Sequence, residues 1–324
     1  MNIALLSRWH VHADDYANDV KAHPELQIAL VWDEEEARGE EWANELGVPF
    51  EKELKKVLEN PDIDAVVVTT PTNLHKEVII AAANHQKHIF SEKVLAFTVE
   101  DCEEIYEAIE RNHVKFMLSL PKLTDPAYLF AQQALDEGKI GQLTTIRCRM
   151  AHNGAIGQNN ERTGWLPERF YNEEQTGGGA LIDLGAHPIY LLNRLAGGAL
   201  GLQAKLQSTK GLGVDDQAVV LIEYESGALG IVETSFISAQ SPFQLELYGT
   251  EGSIMIEDQH ICYHFGDGLK EAKDIQRIET PIEQWVKEIN DGITPTITKD
   301  DIINLTRINE LAIKSNKENK RVEI

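Results

Sequence analysis

The chain has 324 residues, of which 42 % are hydrophobic, enough to fill the cores of two domains and to argue against disorder. Lys and Arg number 30 against 53 Asp and Glu, a formal charge of −23. A chain this acidic is repelled by phosphate backbones and anionic lipid, which sets aside nucleic acid and membrane as partners but leaves room for a small anion in a local basic pocket.

In chain order, the first 120 residues alternate strand and helix. "NIALL" reads as a buried strand, followed by a helix over 12–22. "LQIALVWD" is a second strand ending at Asp33, and "EEEARGEEWANELG" a helix stopped by Gly47. "VPF" starts a short strand and "EKELKKVLEN" is another helix. "IDAVVVTT" is a continuous apolar strand, buried on both faces. "NLHKEVIIAAANHQ", "HIFSE", "TVEDCEEIYEAIERN" and "VKFMLSL" continue the alternation. The expectation is an α/β fold: right-handed βαβ units forming a parallel Rossmann-type sheet over residues 1–121.

After Pro121 the pattern changes. A helix over 126–138 precedes the long alternating strand "IGQLTTIRCRMAH" and a glycine-containing loop. Beyond "TGGGALIDLGAHPIYLLNRLAGG", strands with short turns run to about residue 265, and a helix spans roughly 299–316. Residues 122–324 therefore read as a second α/β domain with a large, mainly antiparallel sheet, open on one face. Cys102, Cys148 and Cys262 are odd in number and form no CxxC pair, as expected for reduced, mostly buried thiols. The apolar N-terminal run is too short for a signal peptide, and no segment reaches the roughly 18 apolar residues of a membrane span. A cytoplasmic protein is expected.

Four stretches carry candidate chemistry. Asp33 ends the second strand, where an acid can hydrogen-bond an adenosine ribose; capping the next helix is the other reading. Glu34, Glu35 and Glu36 follow it and would repel a 2′-phosphate, which favours NAD over NADP. "TTPTNLH" (69–75) follows the most apolar strand, where ligands of open α/β sheets bind; Pro71 stiffens it and Asn73 is placed to cap the next helix. "FSEKV" places Glu92 and Lys93 at another strand end, where a desolvated lysine can pass protons, although most such pairs are solvated. In "GGGALIDLGAHP", Asp183 and His187 are four apart and would share a helix face as an acid/base pair, with flanking glycines allowing close approach to a ligand. An interior His–Asp pair is the plain alternative. A metal would need further matched ligands, and none is read. Pro188 calls for a kink or a helix start nearby.

Strand-end "TTPTNLH", then "SEKVLAFTVED", "GGGALIDLGAHPIYLL" and "GTEGSIMI", in that order and over essentially the whole chain, resemble the Gfo/Idh/MocA oxidoreductases, the glucose-fructose oxidoreductase and inositol dehydrogenase group. The resemblance implies an N-terminal domain binding NAD or NADP and a C-terminal domain that shapes the substrate pocket and mediates oligomers, a homodimer or homotetramer through its sheet. It implies sugar, inositol or polyol substrates. It assigns Lys93, Asp183 and His187 to catalysis, Glu92 to the nicotinamide side, and Thr70, Pro71, Asn73 and His75 to the loop along the cofactor. Lys122, Arg149, His152, Trp165 and Arg169 are further candidate substrate contacts. A branch of the family hydrolyses glycosides with retained NAD.

Two departures stand out. Val94 replaces the family's proline after Lys93, a tolerated change. More seriously, "SRWHVH" stands where the glycine-rich turn belongs: either Ser7 and Trp9 take the places of the first two glycines, or the loop is shorter. Either Ser7, Arg8, Trp9 and His10 rebuild the phosphate loop, with Arg8 supplying charge-assisted bonds, or the loop has closed the site and left a sugar-binding or regulatory protein. A metal on His10 and His12 is a third reading.

Overall fold

The computed structural model describes residues 1–157, 164–272 and 277–324. Part of the glycine-containing loop after the 140–152 strand thus lies outside the described residues. The chain forms two compact units, Met1–Ser119 with Glu279–Ile297, and Leu120–Ile278 with Thr298–Ile324.

In the first unit five parallel strands run in the order β2-β1-β3-β4-β5: β1 Asn2–Leu6, β2 Gln27–Trp32, β3 Ala65–Val68, β4 His88–Ser91 and β5 Phe116–Leu118. Helices α1 Ala13–Ala22, α2 Glu36–Leu46, α3 Leu54–Glu59, α4 Thr72–Asn84 and α5 Val99–Asn112 connect them. Every residue of β3 is buried, as an all-apolar run covered on both faces requires. The α/β expectation holds. "VPF" does not form a strand; Phe50 makes only an isolated bridge to Val31.

The second unit contains α6 Pro126–Asp136, β6 Leu143–Ala151, α7 Glu173–Thr176, α8 Ala180–Asp183, α9 Ala186–Ala196 and strands β7 Ala199–Gln207, β8 Gln217–Tyr224, β9 Leu229–Ser235, β10 Gln244–Gly249, β11 Ser253–Glu257, β12 His260–His264 and β13 Leu269–Glu271. After α10 Pro281–Asp291 come α11 Lys299–Glu318 and β14 Val322–Glu323. The nine strands are ordered β13-β12-β11-β10-β6-β9-β8-β7-β14. All pairs are antiparallel except β6 with β9. One face buries Ile146, Cys148, Val220, Val232 and Leu247, while Arg147, Val219, Leu221 and Glu246 alternate onto an open face.

A single boundary near residue 121 does not anticipate α10, which belongs to the first unit. A capping box from Thr280 and Glu283 starts it. Its Trp285, fully buried, packs on Phe90 of β4 at 5.7 Å between ring centroids, and Lys115 Nζ lies 3.2 Å from Glu288. The return is made by contacts distant in sequence, which local patterning cannot show.

Candidate active site

At the end of β1 the chain turns through Ser7, whose φ of 78° lies in the left-handed region usually reserved for glycine. Ser7 thereby takes the conformational part of the missing first glycine. Its hydroxyl accepts from Trp9 N, and its carbonyl accepts from the Thr69 hydroxyl at 2.6 Å. Trp9 is only 4 % exposed, so its ring is stored in the core rather than standing in the loop's mouth. The loop's backbone donors are largely engaged within the protein. Ser7 N reaches Trp32 O, Arg8 N reaches Asp33 Oδ2, His10 N reaches Thr69 O, and His12 N reaches His10 Nδ1.

The expectation that Arg8 offers its guanidinium to a phosphate needs correction. That group is held by Asp14 and Glu45 and lies 5.9 Å from the Trp42 ring centre. Asp33 is likewise engaged: Oδ1 accepts from Glu35 N and Arg38, and Oδ2 from Arg8 N and Arg38 Nε. These four bonds fill the roughly four acceptor positions of a carboxylate. Arg38 also bonds Glu34 and Glu35, so the acidic run carries its own counter-ion. Asp33 is therefore an anchor between the β1 and β2 loops in this conformation.

The loops after β3 and β4 are drawn together by His75 of α4. Its Nδ1 lies 2.9 Å from Val94 O and its Nε2 3.1 Å from Thr70 O. Burial pulls its pKa down to about 4. α4 begins two residues earlier than Asn73 requires for capping: Pro71 is the N-cap and Asn73 is exposed. Pro71 is buried. Among the described residues, the Thr70 hydroxyl, on a residue 1 % exposed, has no hydrogen-bond partner. Such a group costs about 1–3 kcal/mol unless something satisfies it. It stands at the carboxyl end of the sheet, where a dinucleotide would supply a partner, and in this respect the residues present fit the cofactor.

Beyond β4, Glu92 and Lys93 are 2 % and 6 % exposed, and the Lys93–Val94 peptide is cis. Tyr16 of α1 donates its hydroxyl proton to Glu92. That contact and burial push the Tyr16 pKa well up, burial acting most strongly. His10 Nδ1 lies 3.9 Å from Glu92 Oε2. This is not an ion pair: burial holds the His10 pKa down to about 3, against the pull of Glu92, and Nδ1 already accepts from His12 N. His12 itself faces Asp15. Tyr16 was not singled out in the sequence, where it looks like any apolar-face tyrosine.

In the second unit, α8 ends at Asp183 and α9 begins at Ala186, so Asp183 and His187 sit on successive short helices rather than one continuous face. Pro188 falls in the first turn of α9, where its missing N–H costs nothing. The glycines serve the backbone rather than a ligand. A Cβ on Gly179 would stand 1.9 Å from Asp215 O, and one on Gly185 2.4 Å from Leu181 O. Asp215 caps the segment, its carboxylate accepting from Gly179 N and Leu181 N. His187 Nδ1 lies 2.8 Å from Tyr190 Oη, which also accepts from Lys122 N. Tyr190 is thus a partner of the His187 ring that the sequence reading did not name, and the i, i+3 spacing is its only sequence signal.

The remaining candidates scatter. Lys122 Nζ is 4.7 Å over the Phe243 ring and 3.4 Å from Asp125. Arg149 lies on the open face of the sheet, opposite α9, bonded to Ser238 and Ser241. His152 stacks on Phe236 at 5.1 Å and lies 4.7 Å from the Trp165 ring, which is 59 % exposed. Arg169 lies 6.0 Å from the Phe170 ring centre.

This build, a parallel sheet with buried polar groups at its strand ends joined to a mixed-sheet unit, is that of the Rossmann-type oxidoreductases. The profile of an oxidoreductase family with an NAD-binding Rossmann fold matches residues 10–120, and that of the GFO/IDH/MocA C-terminal domain matches 128–255. The chain belongs to the GFO/IDH/MocA oxidoreductase family. It is 29 % identical over 313 residues to scyllo-inositol 2-dehydrogenase (NAD(+)) of Bacillus subtilis (strain 168), covering 89 % of this chain and 86 % of that protein. It is 25 % identical over 254 residues to myo-inositol 2-dehydrogenase of Thermotoga maritima, covering 75 % and 71 %. The structure of levoglucosan dehydrogenase in complex with NADH and levoglucosan shares the fold, with a TM-score of 0.86 at 22 % identity over 100 % of this chain and 99 % of that one. Among the described residues, no helix is long and apolar enough to cross a membrane.

Proposed function

We propose that the protein is an NAD-dependent dehydrogenase acting on a hydroxyl-bearing carbon of a sugar, inositol or related polyol. The observation that carries this reading is the burial of Glu92 and Lys93 at the carboxyl end of β4. Two charged side chains at that depth weaken folding and are retained where chemistry needs them. The bound nicotinamide would supply the hydride acceptor or donor. Thr70 would hydrogen-bond the cofactor, and Glu92, oriented by Tyr16, would place its nicotinamide side. Lys93 and His187 would hold and move the substrate hydroxyl proton, with Asp183 in support and Tyr190 fixing the imidazole. Trp165 offers an exposed face on which a sugar ring can stack. NAD is favoured over NADP by Glu34, Glu35 and Glu36, even with Arg38 beside them. The exposed apolar Val219, Leu221, Leu229 and Tyr248 on the open sheet face support a homodimer or homotetramer, testable by light scattering.

One observation favours a second reading, a sugar-binding protein without cofactor. Most backbone donors of the β1 loop and all four acceptor positions of Asp33 are already used. The two readings separate in one assay, in which the protein is incubated with NAD and a panel of inositols, aldoses and anhydrosugars. Growth of reduced-nicotinamide absorbance with one of them supports the dehydrogenase. Ligand-induced thermal stabilisation by a sugar, with no nicotinamide binding, supports the other.

A further inference from the structure

The open face of the nine-stranded sheet carries a cluster that the oxidoreductase chemistry does not use. On β12, His260 and Cys262 are two residues apart and so share a face. In the register of β12 with β13, Cys262 stands opposite Glu271. Cys262 Sγ lies 3.5 Å from His260 Nε2, and that same nitrogen lies 3.8 Å from Glu271 Oε1. All three donor atoms lie within 4.8 Å of one another. A tetrahedral zinc ion with ordinary Zn–S and Zn–N or Zn–O bonds separates its ligand atoms by about 3.4–3.6 Å. The cluster is therefore within a few tenths of an ångström of the required spacing at its apex nitrogen.

We propose that His260, Cys262 and Glu271 form a divalent-metal site of the zinc class, with the fourth position open to water. The donor chemistry points to zinc, which accepts a thiolate, an imidazole and a carboxylate together, whereas the thiolate and imidazole are unsuited to magnesium or calcium. Glu257, opposite His260 on β11, adds a second negative charge to the same face. On binding, the thiol releases its proton to solvent and the ion takes the place of the Sγ to Nε2 contact. The ion would tie β13, a three-residue edge strand with every residue exposed, to β12. The other cysteines, Cys102 and Cys148, are buried, so a thiolate signal reports Cys262.

The test uses the full chain, stripped with chelator and titrated with zinc and with cobalt(II). The expected result is one ion per chain, release of one proton, a thiolate-to-cobalt charge-transfer band, and a rise in melting temperature with zinc. Cys262→Ser should abolish the band. His260→Asn and Cys262→Ser should each weaken binding by more than roughly 100-fold, since even outer-shell changes cost about 10- to 100-fold. Glu271→Gln should weaken it as well. No saturable binding at micromolar metal, cobalt binding without the thiolate band, or affinity unchanged in these variants would overturn the proposal. None of the three residues belongs to the proposed active site, so the outcome does not depend on that reading.

Discussion

Mild acid should weaken the first unit through two histidines that it buries in the neutral form. Burial lowers the pKa of His10 from 6.5 to about 3, and that of His75 from 6.5 to about 4. In the unfolded chain both rings take up a proton as pH falls through 6.5; in the folded chain they stay neutral far below that. The stability they confer is thus present above pH 6.5 and is lost as pH falls from there toward the folded values. At pH 5 the unfolded ring is about 1.5 pH units below its pKa, so each histidine removes roughly 2 kcal/mol relative to pH 7.5. Together they remove about 4 kcal/mol, a large part of the 5–15 kcal/mol typical of a domain. Urea unfolding at pH 7.5, 6 and 5, followed by tryptophan fluorescence, reads this directly, because Trp9, Trp32, Trp42 and Trp285 lie in the first unit and only Trp165 in the second. His10→Gln keeps an acceptor near His12 N but cannot protonate, and should halve the loss between pH 7.5 and 5. A variant with the wild-type pH slope would mean that folded His10 titrates near its ordinary value and is not desolvated.

Further expectations concern the site. Lys93→Met should lower kcat/KM by about 10²- to 10⁴-fold, the range of a general acid or base, while NADH affinity measured by fluorescence stays near wild type; full activity would remove Lys93 from the chemistry. Tyr190→Phe takes a partner from both His187 and Lys122 N, and should cost about 1–3 kcal/mol in unfolding experiments and displace the pH profile of kcat/KM. An unchanged profile would show that Tyr190 does not set the His187 proton. Gly179→Ala drives a Cβ into Asp215 O and should cost about 3 kcal/mol in thermal unfolding, with activity falling in parallel. Arg38→Ala removes the cation that offsets Asp33, Glu34 and Glu35, and should widen the preference for NADH over NADPH in paired titrations; a narrower gap would contradict the assigned charge balance.

The parts of the fold legible in the sequence are those where local pattern and tertiary demand coincide. The all-apolar run of β3 and the helix stop at Gly47, which adopts a left-handed conformation, could be read because burial and turn geometry leave a direct residue-type signature. The start of α9 at Ala186, with Pro188 in its first turn, is of the same kind. What escaped reading depends on register or on long-range contact. Arg38 stands five residues after Asp33 on a helix whose orientation puts its guanidinium on that carboxylate. Tyr190 is meaningful only once α9 turns its hydroxyl toward both Lys122 N and His187. Trp285 finds Phe90 across nearly two hundred residues of sequence. Gly179 and Gly185 are visible as a requirement for close approach, but not that the approaching groups are the chain's own Asp215 and Leu181 carbonyls.

The central claim is that the strand-end loops of the first unit bind a dinucleotide although "SRWHVH" lacks the usual glycines. Titration of the purified chain with NADH and with NADPH, read by nicotinamide fluorescence after any co-purified cofactor has been removed, tests it most directly. Saturable NADH binding is expected, tighter than NADPH binding and weakened in Thr70→Val, which removes the buried hydroxyl that has no partner among the described residues. A folded protein that binds neither nucleotide would rule out a dinucleotide site and leave the sugar-binding reading in its place.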